Sequence, residues 1–270
     1  MQEKPSWVLV YGDTNSTLAG ALAAAKLNIK VAHVEAGLRS FNCEMPEEIN
    51  RIITDHLSSL LFCPSQKAVN NLTAEGIVKS VHIVGDVMAD SIALARKIAG
   101  TSSDILSQLN LSAQKYLLAT VHRAENTDNE NRLLSILTAF NKLKEKIIFP
   151  VHPRTKKIIK KLGFKFFPHV ISSEPLGYTD MIALEMSARI ILTDSGGIQK
   201  EAYWLGVPCI TLRDETEWVE TVEAGWNVLT GSNQEKIVRA VNSYKKPETH
   251  FPLYGDEPAA ERIVNIISQS

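Results

Sequence analysis

Cysteine is scarce in this chain: Cys43, Cys63 and Cys209 are the only three in 270 residues. An odd number at those spacings builds neither a disulfide framework nor a zinc site nor a CxxC redox pair. The reading is of buried free thiols in a reducing cytoplasm. An excess of one charge is also missing. Lys and Arg number 29 against 30 Asp and Glu, which leaves −1 at pH 7. That balance gives no support for a nucleic-acid or membrane-surface partner. It does not exclude a small anionic ligand, which a few local donors suffice to hold. The longest apolar runs are strand-sized, too short to span a bilayer. No cluster has metal-ligand spacing and no intact G-x-G-x-x-G fingerprint occurs.

What is present is alternation. Hydrophobic residues make up 44% and charged residues 22%, ordinary for a globular protein with a real core. Short apolar runs at 7–11, 30–34, 60–63 and 81–85 read as strands, with helical patterns at 17–26, 47–58 and 66–75 between them. Ser65 stands where an N-cap belongs. A second series of strands follows at 116–121, 147–151, 169–171, 189–193 and 207–212. Strands alternating with helices predict α/β architecture, with parallel sheets covered on both faces. The polar stretch 99–112 reads as the link between two domains, 1–98 and 99–252. A last helix at 258–268, within segment 253–270, is expected to cross back onto the first domain.

In open α/β sheets ligands bind beyond the carboxyl ends of the strands. Asp13, Glu35, His122, His152 and Asp194-Ser195-Gly196-Gly197 all fall there. Two glycines between a strand and a helix leave backbone N–H groups bare at a helix N-terminus, which suits a phosphate. A plain tight turn would look the same. Ser195 can add a hydroxyl, and Glu201, in the first turns of that helix, can accept from ribose hydroxyls. His122 can donate to a pyrophosphate oxygen or be an ordinary surface histidine. Asp13, Glu35, Glu47 and Glu48 form an acidic set in which neighbouring carboxylates can divide acid and base roles. For Glu48, first-turn charge complementing the helix dipole is the preferred reading. Arg39, Arg51 and Arg213 can steady a phosphate or hold a carboxylate, but each alone reads more simply as a solvated surface arginine.

Five segments occur in order: Tyr11-Gly12-Asp13-Thr14-Asn15-Ser16-Thr17, His33-Val34-Glu35-Ala36-Gly37-Leu38-Arg39-Ser40, Met45-Pro46-Glu47-Glu48-Ile49-Asn50-Arg51, Val121-His122-Arg123-Ala124-Glu125-Asn126 and Thr193-Asp194-Ser195-Gly196-Gly197-Ile198-Gln199. The ordered set closely resembles the non-hydrolysing UDP-N-acetylglucosamine 2-epimerases. That resemblance implies a GT-B-like fold, two Rossmann-like doubly wound domains with parallel sheets facing a cleft. It implies interconversion of UDP-GlcNAc and UDP-ManNAc through elimination of UDP to a 2-acetamidoglucal and re-addition. Neither metal nor cofactor is implied. The implied setting is a cytoplasmic homodimer serving polysaccharide biosynthesis.

By match to the family's motifs, Asp13, Glu35 and Glu47 resemble its acid–base carboxylates and His122 its phosphate-contacting histidine. Ser195, Gly196 and Gly197 resemble the phosphate cradle, Glu201 the ribose ligand, and Tyr178 part of the uracil pocket. Arg51 joins the UDP-binding set. His152 matches a residue associated with an allosteric UDP-GlcNAc. Two departures stand out. The family's opening strand and glycine-rich turn would precede Trp7, so the first domain is expected to be incomplete and the chain inactive by itself. Trp218-Val219 stands where many bacterial members have Arg-Pro, a version resembling archaeal-type members and enzymes of UDP-2,3-diacetamido-glucuronate. The substituents at C3 and C6 of the sugar stay open. Competing readings are a hydrolysing relative, a GT-B glycosyltransferase, and a non-catalytic nucleotide-sugar-binding protein.

Overall fold

A computed structural model describes residues 3–254 and 258–270; residues 1–2 and 255–257, at the margins of the expected domain spans, lie outside the described residues. The chain divides into two compact units, Met1–Ser91 with Pro252–Ser270, and Ile92–Phe251. The division falls inside the helix Val87–Ser102, so the start of the 99–112 stretch is helical, and a second short helix, Ile105–Gln108, fills much of the remainder. An exposed Gly100 with open space around it is tolerated there at a cost of about 1 kcal/mol relative to alanine.

The first unit holds β1 (Trp7–Tyr11), β2 (Lys30–Val34), β3 (Leu60–Cys63) and β4 (Val81–Ile83), all parallel and adjacent in that order. The core lies on both faces of this sheet. Ala32, Val34, Leu60 and Phe62 pack with Ile263 of the C-terminal helix, while Leu61 and Cys63 face Ala68 and Leu72 on the other side. The second unit holds β5 (Tyr116–Thr120), β6 (Lys146–Pro150), β7 (Val170–Ser173), β8 (Ile190–Thr193), β9 (Cys209–Thr211) and β10 (Asn227–Leu229). They form a parallel sheet of order β10-β9-β8-β5-β6-β7. Side chains alternate across it as the pleat requires: Leu117 and Ala119 enter one core, Tyr116 and Leu118 the other. The expected α/β class with parallel sheets is what forms.

Of the cysteines, Cys63 and Cys209 are buried, and burial pushes both thiols up to about 12, too high for useful nucleophilicity at neutral pH. Cys43 is exposed, which corrects the expectation that all were interior. Among the described residues no helix is long and apolar enough to cross a membrane, and no group of His, Cys, Asp and Glu is placed to hold a metal ion.

Candidate functional site

Strand order locates the site in the second unit. The chain runs from β5 outward through β6 and β7, then returns to β8 on the opposite side of β5. At such a switch point the two loops leaving the strands' carboxyl ends diverge and leave a crevice. The loop after β5 carries His122 and Arg123, and the loop after β8 carries Asp194, Ser195, Gly196 and Gly197. Ser195 caps the helix Gly196–Trp204, its Oγ accepting from the Ile198 N–H at 3.4 Å. As an acceptor there the hydroxyl keeps its own O–H to donate outward.

Asp194 ties the two loops together. It is fully buried, and its carboxylate accepts from the His122 N–H at 3.0 Å, the Arg123 N–H at 3.0 Å and the Asn126 side-chain amide at 3.1 Å. Charge-assisted bonds of this kind are roughly twice as strong as neutral ones. His122 sits half-buried with its ring 5.9 Å from that of His152. Burial holds its imidazole below the ordinary value against the pull of Asp194, with His152 and Arg123 acting in the same direction as burial. His122 therefore offers a neutral ring with one N–H at neutral pH. His152 caps the helix Pro153–Leu162, its Nδ1 accepting from the Arg154 N–H at 3.2 Å.

Glu201 is nearly buried on the helix Gly196–Trp204 and accepts from the Tyr178 hydroxyl at 3.3 Å. Burial raises its carboxyl, opposed by Tyr178 and Lys200. Glu185, on the helix Tyr178–Ser187, is almost wholly buried, and its Oε2 meets no donor among the described residues. Burial, and then the charge of Glu201, push Glu185 well above the carboxylate range. A raised carboxyl stabilises the fold fully below its unfolded value of about 4.3, and that stability is lost as pH climbs through the raised folded value. Glu185→Gln keeps the neutral form at every pH. It is expected to raise Tm more at pH 8 than at pH 5, by the order of 3 °C, since about 1 kcal/mol moves Tm by 2–4 °C at this size. Equal shifts at the two pH values in thermal melts would contradict a protonated Glu185.

In the first unit, Tyr11 pairs with Val34 in register, which brings Asp13 and Glu35 to adjacent strand ends. Gly12, at φ +63°, turns the chain, and a Cβ there would stand 3.3 Å from Glu35 Oε2. Glu35 itself lies at φ +69°, a region glutamate seldom occupies. Gly37 is required for space: a Cβ there would stand 2.4 Å from the Ala68 carbonyl oxygen. The turn is held from within by a row of buried polar groups. His33 Nε2 lies 2.9 Å from the Gly12 carbonyl oxygen and Nδ1 2.7 Å from Asp55. Asp55 also accepts from the Gly37 N–H at 3.1 Å and from Arg39 at 2.8 Å. Arg39 in turn donates to both oxygens of Glu75, at 2.6 and 2.7 Å. Burial alone would lower the Arg39 guanidinium, but the Glu75 and Asp55 carboxylates raise it.

Several sequence expectations change here. Arg39, Arg51 and Arg213 are not solvated surface cations: all three are buried, each against a carboxylate. Arg51 commits Nε at 3.0 Å and Nη2 at 2.9 Å to Asp13, and Nη1 at 2.5 Å to Glu48. Its donors thus serve the acidic set. Glu48 is no mere dipole complement. It is buried and accepts from the Ser40 and Phe41 N–H groups at 2.9 Å each, from the Ser40 hydroxyl at 3.1 Å and from Arg51. Burial opposes ionisation, yet these donors hold its carboxyl below the usual range. Glu47 lies beside it in the first turn of the helix Pro46–Leu57.

Comparison with known proteins adds a third line of observation. The sequence profile of the family described as UDP-N-acetylglucosamine 2-epimerase matches residues 1–268. A UDP-N-acetylglucosamine 2-epimerase homolog of Methanococcus maripaludis is 54% identical over 99% of this chain and 76% of its own length. The UDP-2,3-diacetamido-2,3-dideoxy-D-glucuronate 2-epimerase of Pseudomonas aeruginosa is 47% identical over 100% of this chain and 76% of its own. Among solved structures, that of Methanocaldococcus jannaschii UDP-GlcNAc 2-epimerase in complex with UDP-GlcNAc and UDP superposes with a TM-score of 0.90 at 46% identity, covering 100% of this chain and 77% of that one.

Proposed function

This chain belongs to the UDP-N-acetylglucosamine 2-epimerase family, a family of isomerases, and from that premise we propose that it inverts C2 of UDP-N-acetylglucosamine to give UDP-N-acetylmannosamine. The observation that carries this reading is the crevice at the β5/β8 switch point. There the capped N-terminus of the helix Gly196–Trp204 and the neutral His122 are tied to one another through Asp194. Backbone N–H groups at Gly196 and Gly197, the Ser195 hydroxyl and His122 take the diphosphate. Glu201 and Tyr178 take the ribose and the base.

The acid–base work falls to the first unit's strand-end carboxylates, Asp13 and Glu35, with Glu47 as the third. In the forward half-reaction a carboxylate removes the proton from C2. The electron pair forms the C1–C2 double bond, and the C1–O bond breaks with its pair leaving on the UDP oxygen. The result is a 2-acetamidoglucal and UDP. In the return half a carboxylic acid delivers a proton to the opposite face of C2 and the UDP oxygen closes on C1. Arg51, paired with both Asp13 and Glu48, keeps the set from accumulating uncompensated negative charge.

The test is incubation of the full-length protein with UDP-GlcNAc in deuterated water, followed by NMR. Deuterium at C2 and the appearance of UDP-ManNAc are expected. Unlabelled UDP-GlcNAc, or free sugar with UDP as the sole product, would overturn the reading in favour of glycosyl transfer or hydrolysis.

A further inference from the structure

Trp218 has no part in the function proposed above, yet it is held at its backbone and on its ring face. Its backbone N–H donates to Thr216 Oγ1 at 3.1 Å, and its carbonyl oxygen accepts from Thr221 Oγ1 at 2.7 Å. Thr216 in turn donates to Gln199 Oε1 at 2.6 Å, and the Asn227 amide donates to the same oxygen at 3.1 Å. The Lys200 ammonium lies 4.1 Å from the centroid of the Trp218 ring, a cation–π contact that favours one orientation of the indole. The residue is 7% exposed. A side chain fixed at its backbone and on its ring face has little rotamer freedom left to lose when a ligand arrives.

That orientation sends the polar edge of the indole to Gly196. Nε1 lies 3.5 Å from the point where a Cβ would stand on Gly196, and an Arg123 guanidinium nitrogen lies 3.6 Å from the same point. Glu217 Oε2 is 3.9 Å away. Its carboxylate is engaged by Arg213 at 2.9 and 3.2 Å, and it stays below the usual range because Arg213 and Arg123 outweigh its burial. The space that glycine leaves is therefore faced by a helix N-terminus, a guanidinium and an indole, with the Arg213-paired carboxylate of Glu217 at its edge. The indole N–H can only donate. Three kinds of donor converge on one spot, and the carboxylate beside them is held by Arg213, a setting that suits an oxyanion.

We propose that Trp218 is a further binding residue for the nucleotide sugar, its indole N–H donating to a phosphate oxygen of the diphosphate seated over Gly196. This rests on the reading that UDP occupies the second unit, and the experiment separates the two. Calorimetry of the chain with UDP is compared with that of Trp218→Phe, which keeps an aromatic ring over Lys200 and removes the donor. UDP affinity is expected to fall on the order of tenfold, the loss that follows removal of one hydrogen bond to a charged group. Affinity within twofold of the original would overturn the proposal. Absence of UDP binding by the unsubstituted chain would overturn the nucleotide-site reading itself, and this inference with it. A second measurement does not depend on the variant folding. The indole region of the 15N–1H spectrum of the unsubstituted chain holds four tryptophan side chains. One resonance is expected to move downfield with UDP and to stay in place with uridine, which lacks phosphate. No movement with UDP, or equal movement with both, overturns the assignment.

Discussion

In the full-length protein Asp13→Asn is expected to lower turnover of UDP-GlcNAc by about a thousandfold while leaving UDP affinity within twofold. The magnitude is that of a positioned general acid or base, typically 10²–10⁴-fold. The asymmetry follows from where the groups lie. Asp13 lies just beyond β1 in the first unit, directly after the left-handed Gly12, and its carboxylate meets Arg51 at 2.9–3.0 Å. The donors assigned to UDP belong to the second unit. Asparagine keeps the shape and one acceptor for Arg51 but cannot take a proton from carbon. Steady-state kinetics beside calorimetry with UDP checks both halves. If affinity and turnover fell together, Asp13 would be a nucleotide ligand and not solely a proton carrier. Turnover within tenfold of the original would remove Asp13 from the chemistry.

Asp55→Ala is expected to destabilise the first unit by about 3–5 kcal/mol, the cost of removing one partner from a buried ion pair. Two groups would be stranded. Among the described residues Arg39, with a side chain 1% exposed, would keep only Glu75 and the Leu38 carbonyl oxygen, and His33, at 0%, would keep only the Gly12 carbonyl oxygen. The Gly37 N–H would lose its acceptor as well. Thermal melts or denaturant titration measure the loss. Natural domains are stable by only 5–15 kcal/mol in total, so such a loss would remove a large share of the first unit's stability. A Tm unchanged within 2 °C would mean that the row from Glu75 to Gly12 is ornamental. The milder Asp55→Asn, which keeps the shape and an acceptor, should fall between the two.

The sequence makes the strands legible because most are short apolar runs stopped by Gly, Pro or a polar residue, and pairing follows once the runs are seen to alternate with helices. β10 was missed because Asn227–Leu229 offers only three residues, two of them apolar. The phosphate-type loop at Ser195 and the acidic strand ends were visible for the same reason: each lies directly after its strand. Partnerships across the sheet were not visible. Arg39 finds Glu75, 36 residues on; Arg51 finds Asp13, 38 residues back; and Asp194 reaches His122 across 72. Spacing along one chain carries no signal for such pairs, so each arginine looked solvated and Glu48 looked like helix-end charge. His33 carries a signal of its own: a histidine amid Val31, Ala32 and Val34 points to a buried partner. Tyr178 and Glu201, by contrast, do meet, at 3.3 Å.

The bond set of Asp194 has a bearing on how a nucleotide would be received. One carboxylate at the end of β8 fastens the main chain that follows β5, so two segments remote in sequence are immobilised as one rim. Ordering a free loop costs about 0.5–1.5 kcal/mol for each flexible side chain frozen on association. A rim stiffened during folding has already met that cost before any guest arrives. Recognition on this unit then resembles a key entering a cut lock, and exchange of one nucleotide for another need not wait for the wall to re-form.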